Sequence, residues 1–254
     1  MRSSLRLLAA VALGLPAISY ADPNDYVSTP SAEYGEREID FKYGTEKLSN
    51  GAGRESAGSL GLGWGGSPWW FTEAYLKYHK EAGDKTKYDA FEWENKFQLT
   101  ETGKYFADLG FLVEFEVPKE HRTEGYELKL GPLVEWETGA PWGTGGLTWN
   151  ANVFLERVYR GQPEEPRVTE MLYQFQVKYR SEMPVDVGLQ AFGELGEWNH
   201  WAPSSQQEHL AGPALFGKFK LGGREAIKWN AAWLVGLNKG SPDNRFRVQA
   251  EYEF

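Results

Sequence analysis

Apolar and polar residues alternate with a period of two from Glu33 to Phe254. In Glu36-Arg37-Glu38-Ile39-Asp40-Phe41-Lys42-Tyr43, Ile39, Phe41 and Tyr43 share one face, and Glu36, Glu38, Asp40 and Lys42 share the other. Successive side chains of an extended chain point to opposite faces, so this segment is a strand with one apolar and one charged side. The pattern returns as Leu60, Leu62, Trp64; as Trp70, Ala74, Leu76, Tyr78; as Phe91, Trp93, Phe97, Leu99; and as Tyr105, Ala107, Leu109, Phe111, Val113, Phe115, Val117. It continues as Tyr126, Leu128, Leu130, Val134, Trp136; as Leu147, Trp149, Ala151, Val153, Leu155; and as Met171, Tyr173, Phe175, Val177, Tyr179. The last four are Val185, Val187, Leu189, Ala191; Leu215, Phe219, Leu221; Ile227, Trp229, Ala231, Trp233, Val235, Leu237; and Phe246, Val248, Ala250, Tyr252, Phe254. Twelve strands are predicted, most of about 9 to 12 residues, the length a tilted strand needs to cross a bilayer. No helical periodicity competes with them. Pro132 and Pro213 fall inside the sixth and tenth strands, where a missing N–H removes a ladder hydrogen bond.

The predicted links alternate in length. Those after the odd strands, such as Gly44 to Glu55, Lys80 to Lys87 and Gly196 to Glu208, are long and polar, whereas Ser181 to Pro184 and Gly222 to Glu225 are tight turns. Only the link after the sixth strand, Glu137 to Gly146, is longer than that rule asks. The apolar faces also end in aromatic rings, with Trp64, Trp70, Trp136, Trp149 and Trp229 at one end and Tyr43, Tyr78, Tyr88 and Tyr126 at the other. Amphipathic rings favour both interfaces of a bilayer. A soluble β-sandwich also has alternating strands, but it hides the apolar face in one core and needs no aromatic borders.

The first residues say where the chain goes. Arg2 and Arg6 precede an apolar stretch from Leu7 to Ile18, and Ser19-Tyr20-Ala21 offers small residues where a signal peptidase reads. Residues 1–21 are expected to be a signal peptide cleaved after Ala21. Its removal moves the net charge from -9 to -11. Residues 22–32 are polar with two prolines and are expected to form a loose arm in the periplasm. So acidic a chain disfavours nucleic acid as a partner, because polyphosphate needs a basic footprint. The absence of Cys excludes a disulfide scaffold, a thiol nucleophile and thiolate-held metals. The aromatic share of 15% is too rich for a disordered acidic chain.

Residues 33–254 resemble the bacterial outer-membrane β-barrels. The most specific local mark is the final strand, Val248-Gln249-Ala250-Glu251-Tyr252-Glu253-Phe254, which alternates and ends in Phe. The resemblance implies a closed antiparallel transmembrane β-barrel of about twelve strands in the outer membrane of a Gram-negative cell, with the long loops outside. It also implies contact with outer-membrane lipid and lipopolysaccharide, and reading of Tyr252 and Phe254 by the barrel-assembly machinery. Twelve-stranded members of that class include narrow solute channels and a phospholipase.

The residues between the apolar ones face inward and are charged. Near the expected outer ends lie Glu92, Glu94, Glu114, Glu116, Glu127, Glu156, Glu170 and Glu194; near the periplasmic ends lie Lys96, Lys178, Arg180, Lys218, Lys220 and Lys228. Arg245 and Arg247 break the scheme at the outer end of the last strand, where closure onto the first strand would set them against Asp40 and its neighbours; Glu251 and Glu253 break it at the inner end. An acid-rich mouth concentrates cations by its field. The expected function is therefore a channel for passive diffusion of small hydrophilic solutes with mild cation preference. The alternative is a structural or adhesive barrel with a plugged lumen, partly filled by Phe71, Phe106, Phe154, Phe192 and Phe216 and binding partners through Trp198-Asn199-His200-Trp201. No enzymatic chemistry, cofactor or metal is expected. The histidines at 79, 121, 200 and 209 are scattered, and Ser204-Ser205 beside His200 or His209 lacks an orienting acid. Glu114 and Glu116 could hold a divalent cation weakly but fit hydrated mouth charges better. Gly61, Gly63, Gly65 and Gly66 precede no helix and fit strand and turn positions, not a phosphate loop.

Overall fold

A computed structural model describes residues 22–141, 144–160, 167–181 and 183–254, so the expected signal peptide lies outside the described residues. Among the described residues twelve strands follow one another around a closed barrel. They are β1 (Arg37–Lys47), β2 (Arg54–Ser67), β3 (Trp70–Lys80), β4 (Lys87–Gln98), β5 (Asp108–Pro118), β6 (Tyr126–Gly139), β7 (Gly146–Tyr159), β8 (Thr169–Arg180), β9 (Val185–Glu197), β10 (Glu208–Gly222), β11 (Glu225–Gly236) and β12 (Asn244–Glu253). Each pairs antiparallel with the next, and β12 closes on β1 from Glu38 opposite Glu253 to Lys47 opposite Asn244. Closure leaves no unpaired edge. We call the end of the barrel that carries the links after β1, β3, β5, β7, β9 and β11 the loop end, and the opposite one the turn end.

Burial is inverted relative to a soluble protein. The side chains expected to face lipid are exposed, Leu62 at 66%, Phe41 at 49% and Trp233 at 48%, while inward Asp40, Glu94, Arg245 and Arg247 are each about 1% exposed. At the turn end Trp136 and Trp149 stack with ring centroids 5.9 Å apart, and Trp64 meets Trp70 edge-on at 6.3 Å. The Trp149 indole N–H donates to Thr138 Oγ1 at 3.0 Å. At the loop end Tyr78 and Tyr88 pack edge-on at 5.8 Å. An apolar belt bordered by such rings is a surface that a bilayer covers.

Both prolines are accommodated where the ladder is interrupted. Pro132 pairs with Phe111 of β5, but toward β7 the regular pairing stops after Leu130 opposite Leu155 and resumes at Glu135 opposite Asn150. Asn152 Oδ1 accepts the freed Val134 N–H at 3.3 Å. Pro213 pairs with Leu189 of β9, and the β10–β11 ladder skips from Ala211 to Ala214 beside it.

Several boundaries differ from expectation: β1 runs on to Lys47 and β6 to Gly139, Leu99 and Leu237 lie just beyond β4 and β11, and the link after β4 is long where a tight turn is expected. β5 begins at Asp108, so Tyr105 and Phe106 lie in the link 99–107, and Phe106 is 86% exposed instead of facing inward. The link is held by its own hydrogen bonds: Asp108 Oδ1 accepts from Gly103 N at 2.8 Å, and Thr100 Oγ1 accepts from Leu109 N at 2.8 Å. Gly103 supplies the positive φ of 70° that this turn requires. Phe71, Phe154, Phe192 and Phe216 do face inward and are buried.

Candidate functional site

The arm does not hang loose; it is threaded into the lumen. It leaves the turn end where Gly35 N donates to Gly65 O at 2.9 Å and Gly65 N donates to Glu36 O at 2.9 Å. Going up the lumen, Ala32 N donates to Gln98 Oε1 (2.8 Å), Ser28 N donates to Gln174 Oε1 (3.1 Å), and Tyr26 Oη donates to Glu94 Oε2 (2.5 Å). Near the loop end Asn24 and Ser59 share a 3.2 Å hydrogen bond, and Asp22 meets Lys77 Nζ at 3.1 Å. An extended segment points successive side chains to opposite sides. Tyr26 accordingly meets the charged wall, and Val27 joins an apolar cluster with Phe192, Leu210, Ala214, Phe216, Ala232 and Leu234. Inward glycines make the room. A Cβ at Gly44 would lie 1.8 Å from Pro23 O, one at Gly65 1.8 Å from Glu33 O, and one at Gly110 2.9 Å from Pro30 Cβ.

The wall facing Tyr26 is built of paired charges. Lys77 Nζ lies 2.6 Å from Glu116 and 3.1 Å from Glu92; Lys129 meets Glu114 at 2.7 Å, and Lys96 meets Glu73 at 3.1 Å. Lys42 Nζ sits 3.4 Å from the centroid of the Tyr26 ring and 3.7 Å from that of Tyr75, whose hydroxyl donates to Asp40 at 2.9 Å. Glu92, Glu94 and Glu114 bring carboxylate oxygens within 4.8 Å of one another. Because lysines already reach Glu92 and Glu114 at salt-bridge distance, this is an ion-paired wall rather than a vacant cation cage.

The opposite wall is a belt of amides. Arg247 Nη1 donates to Gln190 Oε1 (2.6 Å), Gln190 Nε2 to Gln176 Oε1 (2.6 Å), Gln176 Nε2 to Asn150 Oδ1 (3.1 Å), and Asn150 Nδ2 to Glu135 Oε2 (2.8 Å). The chain runs from a cation to an anion, so each bond polarises the next in the same sense. Arg245, opposite Glu46 in the closing register, binds Glu46 and Glu208 with Nη2 2.9 Å from Glu208 Oε1. Of Asp40 and its neighbours on β1, Glu46 is the one that Arg245 meets, whereas Arg247 turns to Gln190 and Asp40 itself accepts from Gln249 at 3.1 Å.

The lumen is divided into two polar chambers. One of about 210 Å³ opens at the loop end, and one of about 570 Å³ opens at the turn end. Between them Asn24, Asp25, Tyr26 and Ser28 leave a gap of only about 20 Å³ beside Glu92 and Glu94.

No family model matches the chain, and no curated protein matches it. Among solved structures it is similar to an outer membrane channel from Pseudomonas putida F1, with a TM-score of 0.57 and 11% identity over 92% of this chain and 100% of that one. It is also similar to the translocator domain of the autotransporter NalP from Neisseria meningitidis, with a TM-score of 0.54 and 13% identity over 87% of this chain and 89% of that one. The chain has the fold of an outer-membrane β-barrel.

Within the barrel the predicted lining residues fall into distinct places. Glu114, Glu116, Glu127, Glu156 and Glu194 line the loop-end chamber, where Lys77 and Lys129 face them. Glu92 and Glu94 lie deeper, at the gap beside Tyr26, and not at the mouth. Glu170 is half-buried outside that chamber's lining. Lys178 and Lys218 line the turn-end chamber; Lys220 is exposed beyond it, and Arg180 is turned to Glu137 at 2.6 Å. Tyr252 and Phe254 stack at 5.5 Å, and Phe254 N donates to Arg37 O at 2.9 Å. The His209 ring meets Tyr173 (3.0 Å) and Gln207 (2.8 Å), while its backbone N donates to Ser241 Oγ at 2.8 Å. Sequence reasoning expected a loose arm and missed its place in the lumen, and it missed the amide belt. The signal for the first was the set of glycines at inward positions 44, 65 and 110, and for the second the inward amides at 150, 152, 174, 176 and 190.

Proposed function

We propose that this barrel is an outer-membrane channel for small hydrophilic solutes, with its loop end outside the cell, and that the present conformation is the closed one. The observation that carries the reading is the pair of polar chambers, about 210 and 570 Å³, with arm residues 24–28 lying between them. The arm is held by side chains and not by a strand ladder, so shifting it would join the chambers while every barrel pairing stays intact. The similarity to an outer membrane channel supports this reading. The glutamates of the loop-end chamber give the mouth a mild preference for cations, opposed by Lys178 and Lys218 further in. The reading includes export through a signal peptide cut after Ala21, contact of the apolar belt with outer-membrane lipid and lipopolysaccharide, recognition of Tyr252 and Phe254 by the assembly machinery, and no covalent chemistry.

A structural barrel with a permanently plugged lumen is favoured by the narrowness of the gap, about 20 Å³. Single-channel recording in planar bilayers separates the two. We expect discrete openings from the full-length protein and a larger open fraction when Tyr26 and Val27 are both replaced by glycine. Silence from both proteins would establish the plug.

A further inference from the structure

The arm is held the way a receptor holds an extended peptide. At Ser28 the wall reads both backbone groups: Gln174 Oε1 accepts the N–H at 3.1 Å, and Asn152 Nδ2 donates to the C=O at 2.8 Å. Asn152 Nδ2 also donates to Gln174 Oε1 at 3.1 Å, so the two amides hold each other in position for a peptide group. Gln98 Oε1 accepts a second backbone N–H, that of Ala32. These contacts ask for a backbone and not for a side chain. Selectivity comes from two pockets on opposite walls. Glu94 and Lys42 receive the phenol and ring of Tyr26, and Phe192, Leu210, Phe216 and Leu234 surround Val27. Backbone hydrogen bonds for affinity and alternate side-chain pockets for choice are how extended peptides are recognised generally.

We infer that the lumen is a peptide-binding site, occupied in cis by residues 24–32, which also accepts in trans an extended peptide carrying an aromatic hydroxyl residue followed by a β-branched and a small residue. When the arm leaves, Asn152 and Gln174 keep their bond to each other but each loses its partner on the peptide group, so one N–H and one oxygen lone pair are left aimed into the lumen. An occupant with the same backbone pattern is therefore the natural replacement for the arm. The inference deepens the channel reading by naming a saturable ligand, and it rests on that reading only for its electrical readout. A tethered arm works at an effective concentration in the millimolar range, so a free peptide competes only once the tethered copy has lost its anchors.

The test uses the full-length Tyr26→Gly/Val27→Gly protein, whose walls are unaltered, and a fluorescent peptide with the sequence of residues 24–32. Binding is read by anisotropy in detergent, after heat-modifiable migration has shown that the barrel is folded; Tyr26→Ala serves if the double variant is not. We expect saturable binding to the variant, and binding at least about tenfold weaker for the peptide in which the tyrosine and valine are glycine, since burial of the Val27 side chain alone contributes about a tenfold factor. Wild-type protein should bind the peptide far more weakly than the variant does. Absent binding, equal binding of both peptides, or equal binding by wild type and variant each overturns the inference. If the variant conducts and binds no peptide, this inference falls and the channel stands; if the peptide binds and no protein conducts, the channel falls and this inference stands.

Discussion

Tyr26 Oη and Glu94 Oε2 are 2.5 Å apart across 68 positions of sequence, and this bond fastens the arm to β4 halfway along the lumen. The Lys42 ammonium lies against the same phenol ring at 3.4 Å, so one side chain of the arm answers a buried carboxylate with its hydroxyl and a buried cation with its π-face. Both groups keep a wall partner as well, Lys42 with Asp40 at 3.4 Å and Glu94 with Lys96 at 3.9 Å, so the arm adds to the charged wall's pairing without being its sole source.

Tyr26→Phe keeps the ring and removes the bond. A hydrogen bond to a charged group contributes about 1.5–3 kcal/mol, so the released fraction of the arm should rise about tenfold or more. The chain has no Cys, which allows Val27→Cys to report release through its rate of reaction with a soluble maleimide. Identical rates with Tyr26 and with Phe at position 26 would show that this bond does not hold the arm.

Arg245 is fully buried between Glu46 and Glu208. Removing one partner from a buried ion cluster strands the others, at a cost of about 3–5 kcal/mol. Arg245→Met should therefore lower the urea midpoint of the folded barrel, and adding Glu46→Gln with Glu208→Gln should recover most of the loss. If the triple variant is no more stable than the single one, stranded carboxylates are not the cause.

The barrel itself was legible in the sequence because strand alternation is local: every lipid-facing run from Ile39 to Tyr252 could be read without knowing its neighbours, and both aromatic borders followed. Interactions set by register were not. Whether Arg245 meets Asp40 or Glu46 depends on how β12 slides along β1, and the actual register places Glu46 opposite. Strand tilt and stagger likewise decide depth, which is why Glu92 and Glu94 sit at the gap while Glu116 and Glu127 sit in the loop-end chamber. The arm was illegible for a different reason. Residues 22–32 are a short polar segment with no period, and its packing is written in the wall, at Gly44, Gly65 and Gly110, far from it in sequence.

The inward glycines of β2 are spacers. A Cβ at Gly61 would fall 2.3 Å from the Tyr75 ring, whereas one at Gly139 has nothing within 4 Å. Gly61→Leu should displace Tyr75, break its bond to Asp40 and reduce the folded fraction on a heat-modifiability gel, while Gly139→Ala should fold as wild type. Equal yields of the two variants would mean that the lumen can absorb a side chain beside Tyr75.

Placement in a bilayer can be checked by depth-dependent quenching. Trp64 belongs to the turn-end border, and Trp233 lies within the apolar belt, with its ring 6.4 Å from Phe246. Single-Trp proteins in brominated lipid should show Trp64 quenched best by bromine near the headgroup, and Trp233 best by bromine at mid-bilayer. The same depth for both would contradict the assigned strand limits.

Selectivity should divide between chamber and gap. Glu116, Glu127, Glu156 and Glu194 line the loop-end chamber, where a low-dielectric wall focuses their field. Replacing these four with Gln should move the zero-current potential in a KCl gradient toward the anion side. The shift should be largest at low salt, because the screening length falls from about 30 Å at 0.01 M to about 3 Å at 1 M. Glu92 and Glu94 act differently, since Glu92 is paired with Lys77 and Glu94 holds Tyr26. Glu94→Gln weakens the arm's anchor and should raise the open fraction with little change in the zero-current potential. A potential that follows Glu94 and ignores the four chamber glutamates would place the filter at the gap and remove the mouth from selectivity altogether.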